Sequence, residues 1–213
     1  MIKDIINELK HHAPFTLAGA TIGILVAVMF RYAHIDHAVS ENFFHVFHPA
    51  HVFFSAMVTG AVFKLHSGRG IFATLCVAYL GAILIGTLSD CFLPFWSELF
   101  VGHYFAPNSI HAEAHIGFIE MWWLVNPLAI AGGICGIYFT HTKIPHLLHV
   151  FLSTGASLFH MLGAIYGVVS LFVYFLLIVF LFIAVWVPCC TSDIVFPLLF
   201  CPDRRKHKSC SHH

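Results

Sequence analysis

Six apolar stretches run along this chain, roughly 14–33, 49–66, 70–95, 122–140, 146–163 and 165–187. Each approaches the length of about 20 residues that a helix needs to cross a hydrocarbon core. Polar residues gather between them. The pattern predicts an all-α polytopic integral membrane protein with six transmembrane helices. Basic residues sort with it: Lys3, Lys10, Lys64, Arg69, Lys143, Arg204, Arg205, Lys206 and Lys208 fall on one side of six crossings, and Arg31 on the other. The opposite loops hold Asp36, Glu41, Glu98, Glu113 and Glu120. The excess of Lys and Arg in cytoplasmic loops then places both termini in the cytoplasm, with a bacterial inner (plasma) membrane as the expected setting.

Composition supports the same class. Of 213 residues, 59% are hydrophobic and 9% charged, against about a quarter charged in a soluble domain. Too few polar side chains remain to cover a water-facing surface. Zero formal net charge argues against a nucleic-acid partner. The seven cysteines, with Cys189, Cys190, Cys201 and Cys210 towards the C-terminus, read as thiols on a reducing side rather than a disulfide framework. The opening "MIKDIINELKHH" is an amphipathic polar lead without the features of a cleaved signal. The outstanding anomaly is 18 histidines against ten Lys plus Arg.

Some of those histidines repeat in register. "HPAHVFFSAM" at 48–57 returns 98 residues later as "HLLHVFLSTG" at 146–155, pairing His48 with His146, His51 with His149 and Ser55 with Ser153. "PFTLAGATIG" at 14–23 matches "PLAIAGGICG" at 127–136, and "LSDCFLPF" at 88–95 matches "TSDIVFPL" at 191–198, always in the same order. This predicts an internal duplication: a first three-helix repeat over 1–100, an external His/Glu-containing loop over 101–121, a second repeat over 122–200 and a Cys/His/basic tail over 201–213. Three spans per repeat invert the second copy relative to the first, an arrangement many secondary transporters share.

The matched polar positions are the candidate chemistry. Residues three apart share a helix face, so each H-x-x-H offers two imidazoles, donors suited to Zn, Fe, Ni, Co or Cu(II). Asp90 and Asp193, in the Ser89-Asp90 and Ser192-Asp193 pairs, bring carboxylates into apolar segments, where an acid marks a functional site by default. A proline follows each aspartate by four residues, and Pro188 is expected to break or kink the sixth helix. Helix breaks are therefore expected near both motifs, although Ser-Asp is also a common helix cap. The expected metal ligands are His48, His51, Asp90, His146, His149 and Asp193, with Ser55, Ser89, Ser153 and Ser192 along the same ion pathway. They form two half-sites, either converging near the midplane or standing as outer and inner stations.

Other groups read more simply. His34, His37, His45, His103, His111 and His115 fall in external loops as solvated residues, with weak metal capture as the alternative. His207, His212 and His213 lie in the tail. Cys189 and Cys190 either bind a soft metal or fill a helix break. Gly19, Gly23, Gly132, Gly133 and Gly136 at small-x-x-x-small spacing allow close helix approach. Trp122 and Trp123 mark an interface belt.

No nucleotide loop, dinucleotide fingerprint or Ser-His-Asp arrangement occurs. Duplicated acidic motifs in two three-span halves resemble, in general architecture, the cation exchangers. The expected function is transport of a divalent transition-metal cation (Zn, Fe, Ni, Co or Mn) with proton coupling, ahead of catalysis. The alternatives are a membrane-embedded metalloenzyme or redox protein with a fixed His-ligated metal or haem, and a transporter of an anion or small organic molecule. Lipid, a metal ion or other small substrate, and a second copy of the chain are the expected partners.

Overall fold

The computed structural model describes residues 37–67, 69–139, 143–190 and 195–200, with positions 14, 17, 18, 21–23, 25 and 29 of the first apolar stretch. Among the described residues 86% are helical and none forms a strand. In chain order the helices are α1 (His37–Ser67), α2 (Ile71–Thr87), a π turn (Leu88–Phe92), α3 (Leu93–Phe105), the short α4 (Gly117–Glu120), α5 (Trp122–Tyr138), α6 (Lys143–Gly163), α7 (Leu171–Cys190) and the short α8 (Phe196–Leu199).

Three helical runs are long and apolar enough to cross a membrane: Ala38–Ser67, the continuous rod Ile71–Phe105, and Leu171–Cys189. α5 is apolar but shorter, at 17 residues. α6 has the length, 21 residues, but one face carries His146, His149, Ser153, Ser157 and His160, which lowers its apolar character. The expectation of six spans is thus met as three clear ones among the described residues. The helices fit a membrane, and large apolar side chains such as Phe72, Leu84, Trp122 and Trp123 face outward all round them.

Two boundaries differ from the hydropathy reading. α1 begins at His37, so the histidine-rich 37–47 is helix rather than loop. Its 31 residues give about 46 Å of helix, more than a core of about 30 Å requires. The third stretch continues to Phe105 instead of stopping near 95, which moves Glu98 and His103 from a loop onto a helix.

Pro94 explains the π turn that this rod makes at the candidate site. A proline ring in a helix clashes with the carbonyl four residues back and has no N–H to offer. Four residues back is Asp90. The chain widens there into a π turn, with the Leu93 N–H bonded to the Leu88 carbonyl, and the helix continues. A π turn therefore stands where a helix break was expected. α7 likewise carries Pro188 within it and runs on to Cys190.

The bundle closes around α1, packed most extensively against α5 and α6. On α5, a methyl at Gly132 or Gly136 would collide with the carbonyl oxygens of Phe53 and Met57, so these glycines let α5 lie against the α1 backbone. α1 and α6 run antiparallel: Phe43 stacks on Phe159 at 4.7 Å and His51 meets His149 at 4.6 Å between ring centres.

Candidate functional site

Asp90 lies on the inward side of the π turn and is fully buried. His48 and His51, three residues apart on α1, each bring Nδ1 to Oδ2 of Asp90, at 2.9 and 2.5 Å. The other oxygen, Oδ1, accepts from the Ser89 hydroxyl at 2.7 Å and from the Ser153 hydroxyl of α6 at 3.0 Å. One carboxylate therefore gathers groups from α1, the π turn and α6, and every one of them is buried. Four bonds offset part of the cost of placing a charge in a dry interior.

The second serine of α6 supports the turn itself. Because the Leu93 N–H is taken by Leu88 and Pro94 has no N–H, the Ser89 carbonyl has no donor from the helix that follows. The Ser157 hydroxyl is placed to supply one, at 3.0 Å, sharing its hydrogen with the Ser153 carbonyl at 2.9 Å.

When the Nδ1 atoms donate to Asp90, the Nε2 atoms become the free lone pairs. His48 Nε2 and His51 Nε2 are buried and make no hydrogen bond among the described residues. A buried polar atom left unsatisfied costs about 1–3 kcal/mol. His48 fits against the bare backbone of Gly117, where a methyl would collide with its Nε2 edge.

His51 also faces the second repeat of the motif. Its ring stands edge-on to His149 of α6, and Cys189 of α7 completes a buried trio. Two groups of three donors result: His48, His51 and Asp90; and His51, His149 and Cys189. Within each group the donor atoms lie within 4.8 Å of one another. His51 belongs to both. His146 stacks on His149 at 6.2 Å and extends the row by one more imidazole.

The structure thus brings together His48, His51, Ser89, Asp90, Ser153 and His149. Ser55 is buried one turn beyond His51 on the same face of α1. Ser192 and Asp193 lie outside the described residues. Glu98 and His160 escaped the sequence reading, and Cys189 was left between binding a soft metal and filling a helix break. Cys189 joins the second trio. Glu98, placed in a loop by hydropathy, is buried and pairs with His160 Nδ1 at 2.7 Å. A signal for them existed: His160 continues the face of His146, His149, Ser153 and Ser157 at helical spacing, and Glu98 follows Asp90 by two turns.

No family model matches the chain, and neither curated proteins nor solved structures give a significant match.

Proposed function

We propose that this protein is an integral membrane transporter for a divalent transition-metal cation. The observation that carries the reading is that His51 is common to both donor groups. A resident metal is held by donors converging on one point. Here the donors are strung out along the α1–α6 seam, and an ion leaving Asp90 and His48 for His149 and Cys189 keeps one ligand throughout. From His160 to His146 the polar face of α6 rises about 21 Å, most of a core of about 30 Å.

Nitrogen, sulfur and carboxylate donors suit Zn, Fe, Co, Ni or Mn, whereas Mg and Ca prefer all-oxygen shells. Metal ligands must be deprotonated. An ion entering between Asp90 and the two imidazoles takes the place of the Nδ1 hydrogens, which move to the bare Nε2 atoms of neutral rings and are released from protonated ones; that release supplies a chemical basis for proton coupling.

The packing supports two inverted repeats. Counterparts His51 and His149 touch, as residues beside a pseudo-twofold axis do. Counterparts Gly23 and Gly136 pack on equivalent places: Gly23 against Leu158 of α6, and Gly136 against Met57 and Ala61 of α1. Shifted by the 98-residue offset of the histidine motifs, Leu158 corresponds to Gly60. With the basic loops inside, the α1 end bearing Phe44 and the loop bearing His115 face outward.

A fixed metal centre is the second reading, favoured by the complete burial of both trios. Uptake of Zn, Fe, Co, Ni and Mn ions into proteoliposomes separates the two. The transporter reading requires saturable flux of at least one ion, lost in Asp90→Asn; tight binding without flux supports the fixed centre.

A further inference from the structure

The two donor groups that share His51 differ in one ligand. His48, His51 and Asp90 offer two imidazoles and a carboxylate; His51, His149 and Cys189 offer two imidazoles and a thiol. Every member of the second group is buried, and its donor atoms lie within 4.8 Å of one another. A tetrahedral Zn²⁺, with Zn–N of about 2.0–2.1 Å and Zn–S of about 2.3 Å, sets neighbouring donors roughly 3.5 Å apart. A small inward movement of the side chains therefore closes this group on an ion.

Asp90 prepares His51 for that second group. Its Oδ2 meets His51 Nδ1 at 2.5 Å, which leaves Nε2 as the nitrogen His51 has for a metal. That Nε2 is buried without a hydrogen bond among the described residues. A carboxylate that takes the N–H of one ring nitrogen orients the ring and makes the other nitrogen a better ligand. Charge closes as well. Cys189 binds a metal as thiolate, its proton released. A divalent ion, that thiolate and the Asp90 carboxylate sum to zero, with both imidazoles neutral. Val101, Val150, Leu181 and Val185 pack in the same core cluster as Cys189, and such a dry setting disfavours any ion that leaves charge over.

We infer that Cys189, with His149 and Nε2 of His51, is the station that selects the ion: a thiophilic divalent cation, Zn²⁺ foremost, and not Mn²⁺. Two imidazoles and a carboxylate accept Mn, Fe, Co, Ni and Zn alike, whereas a thiolate in place of the carboxylate favours Zn and disfavours Mn, which suits oxygen donors. Because His51 belongs to both groups, an ion that leaves Asp90 by way of His51 meets the thiolate next. The selection rests on the transport reading for the ion's passage and on the donor set alone for its choice. Cys189 is thus the specificity-determining residue, and a serine there keeps the size of the side chain while removing its softness.

The test is metal binding to the full chain in detergent, with flux into proteoliposomes measured alongside. Co²⁺ is expected to give the parent a thiolate-to-cobalt charge-transfer band that Zn²⁺ abolishes by displacement and equimolar Mn²⁺ does not. The band is lost in Cys189→Ser and in His149→Ala. It is kept in Cys91→Ser, which alters the other buried thiol among the described residues. In competition titrations the parent is expected to hold Zn²⁺ at least about a hundredfold tighter than Mn²⁺, and Cys189→Ser to narrow that ratio at least about tenfold. A parent without the band overturns the inference, as does a Cys189→Ser protein that elutes and melts like the parent and keeps its Zn-to-Mn ratio; either result stands whether or not metal crosses the membrane. A parent with the band, and with a ratio that Cys189→Ser narrows, but without flux supports Cys189 as the selecting ligand while removing the transport reading.

Discussion

The Ser157 hydroxyl bridges two carbonyls, Ser89 at 3.0 Å across the interface between α6 and the π turn and Ser153 at 2.9 Å on its own helix. Five residues after Ser89, Pro94 has no N–H to serve it. The two facts are coupled, and the coupling is measurable. Ser157→Ala is expected to lower stability by about 1–3 kcal/mol by leaving a buried carbonyl unpaired. In a Pro94→Ala background the loss shrinks, because residue 94 then has its own N–H. A double-mutant cycle by unfolding in detergent checks this; equal losses in both backgrounds would show that Ser157 acts elsewhere.

His48 rests on Gly117, and no larger residue fits there while that ring keeps its place. Gly117→Ala is expected to push the imidazole off Asp90 and weaken metal binding by roughly 10–100-fold, the range seen when a ligand's support is lost. Gly70→Ala, with open space around its position, serves as the control and leaves affinity unchanged. Metal competition titrations compare the two.

Gly132 and Gly136 bring α5 against the backbone of α1. Gly136→Ala places a methyl against the Met57 carbonyl, an overpacking that costs about 1–3 kcal/mol. Gly132→Ala behaves alike against Phe53. Thermal unfolding of each variant is expected to show a lower midpoint; an unchanged midpoint would mean that α5 moves away from α1 without loss.

Much of the candidate site was visible in the sequence because polar residues in apolar helices are few, and a repeated motif singles them out. His48, His51, His149, Asp90 and Ser153 were all found this way. Glu98 was not. An acidic residue just after a proline looks like the end of a span, and hydropathy has no means of knowing that a π turn lets the helix pass Pro94 and bury the next carboxylate. The start of α1 was hidden for a related reason. Hydropathy marks the part of a helix that lies in hydrocarbon, and residues such as Glu41 and His45 continue the same helix beyond it. Cys189 reads either as a soft-metal donor or as a small filler of a helix break until α7 is seen to bring it to His149.

Metal flux through His51→Ala, reconstituted beside the parent and shown to be folded, tests the shared ligand most directly. Removing one imidazole that serves both donor groups is predicted to bring uptake down to that of protein-free liposomes. Flux equal to the parent's would contradict a path through His51.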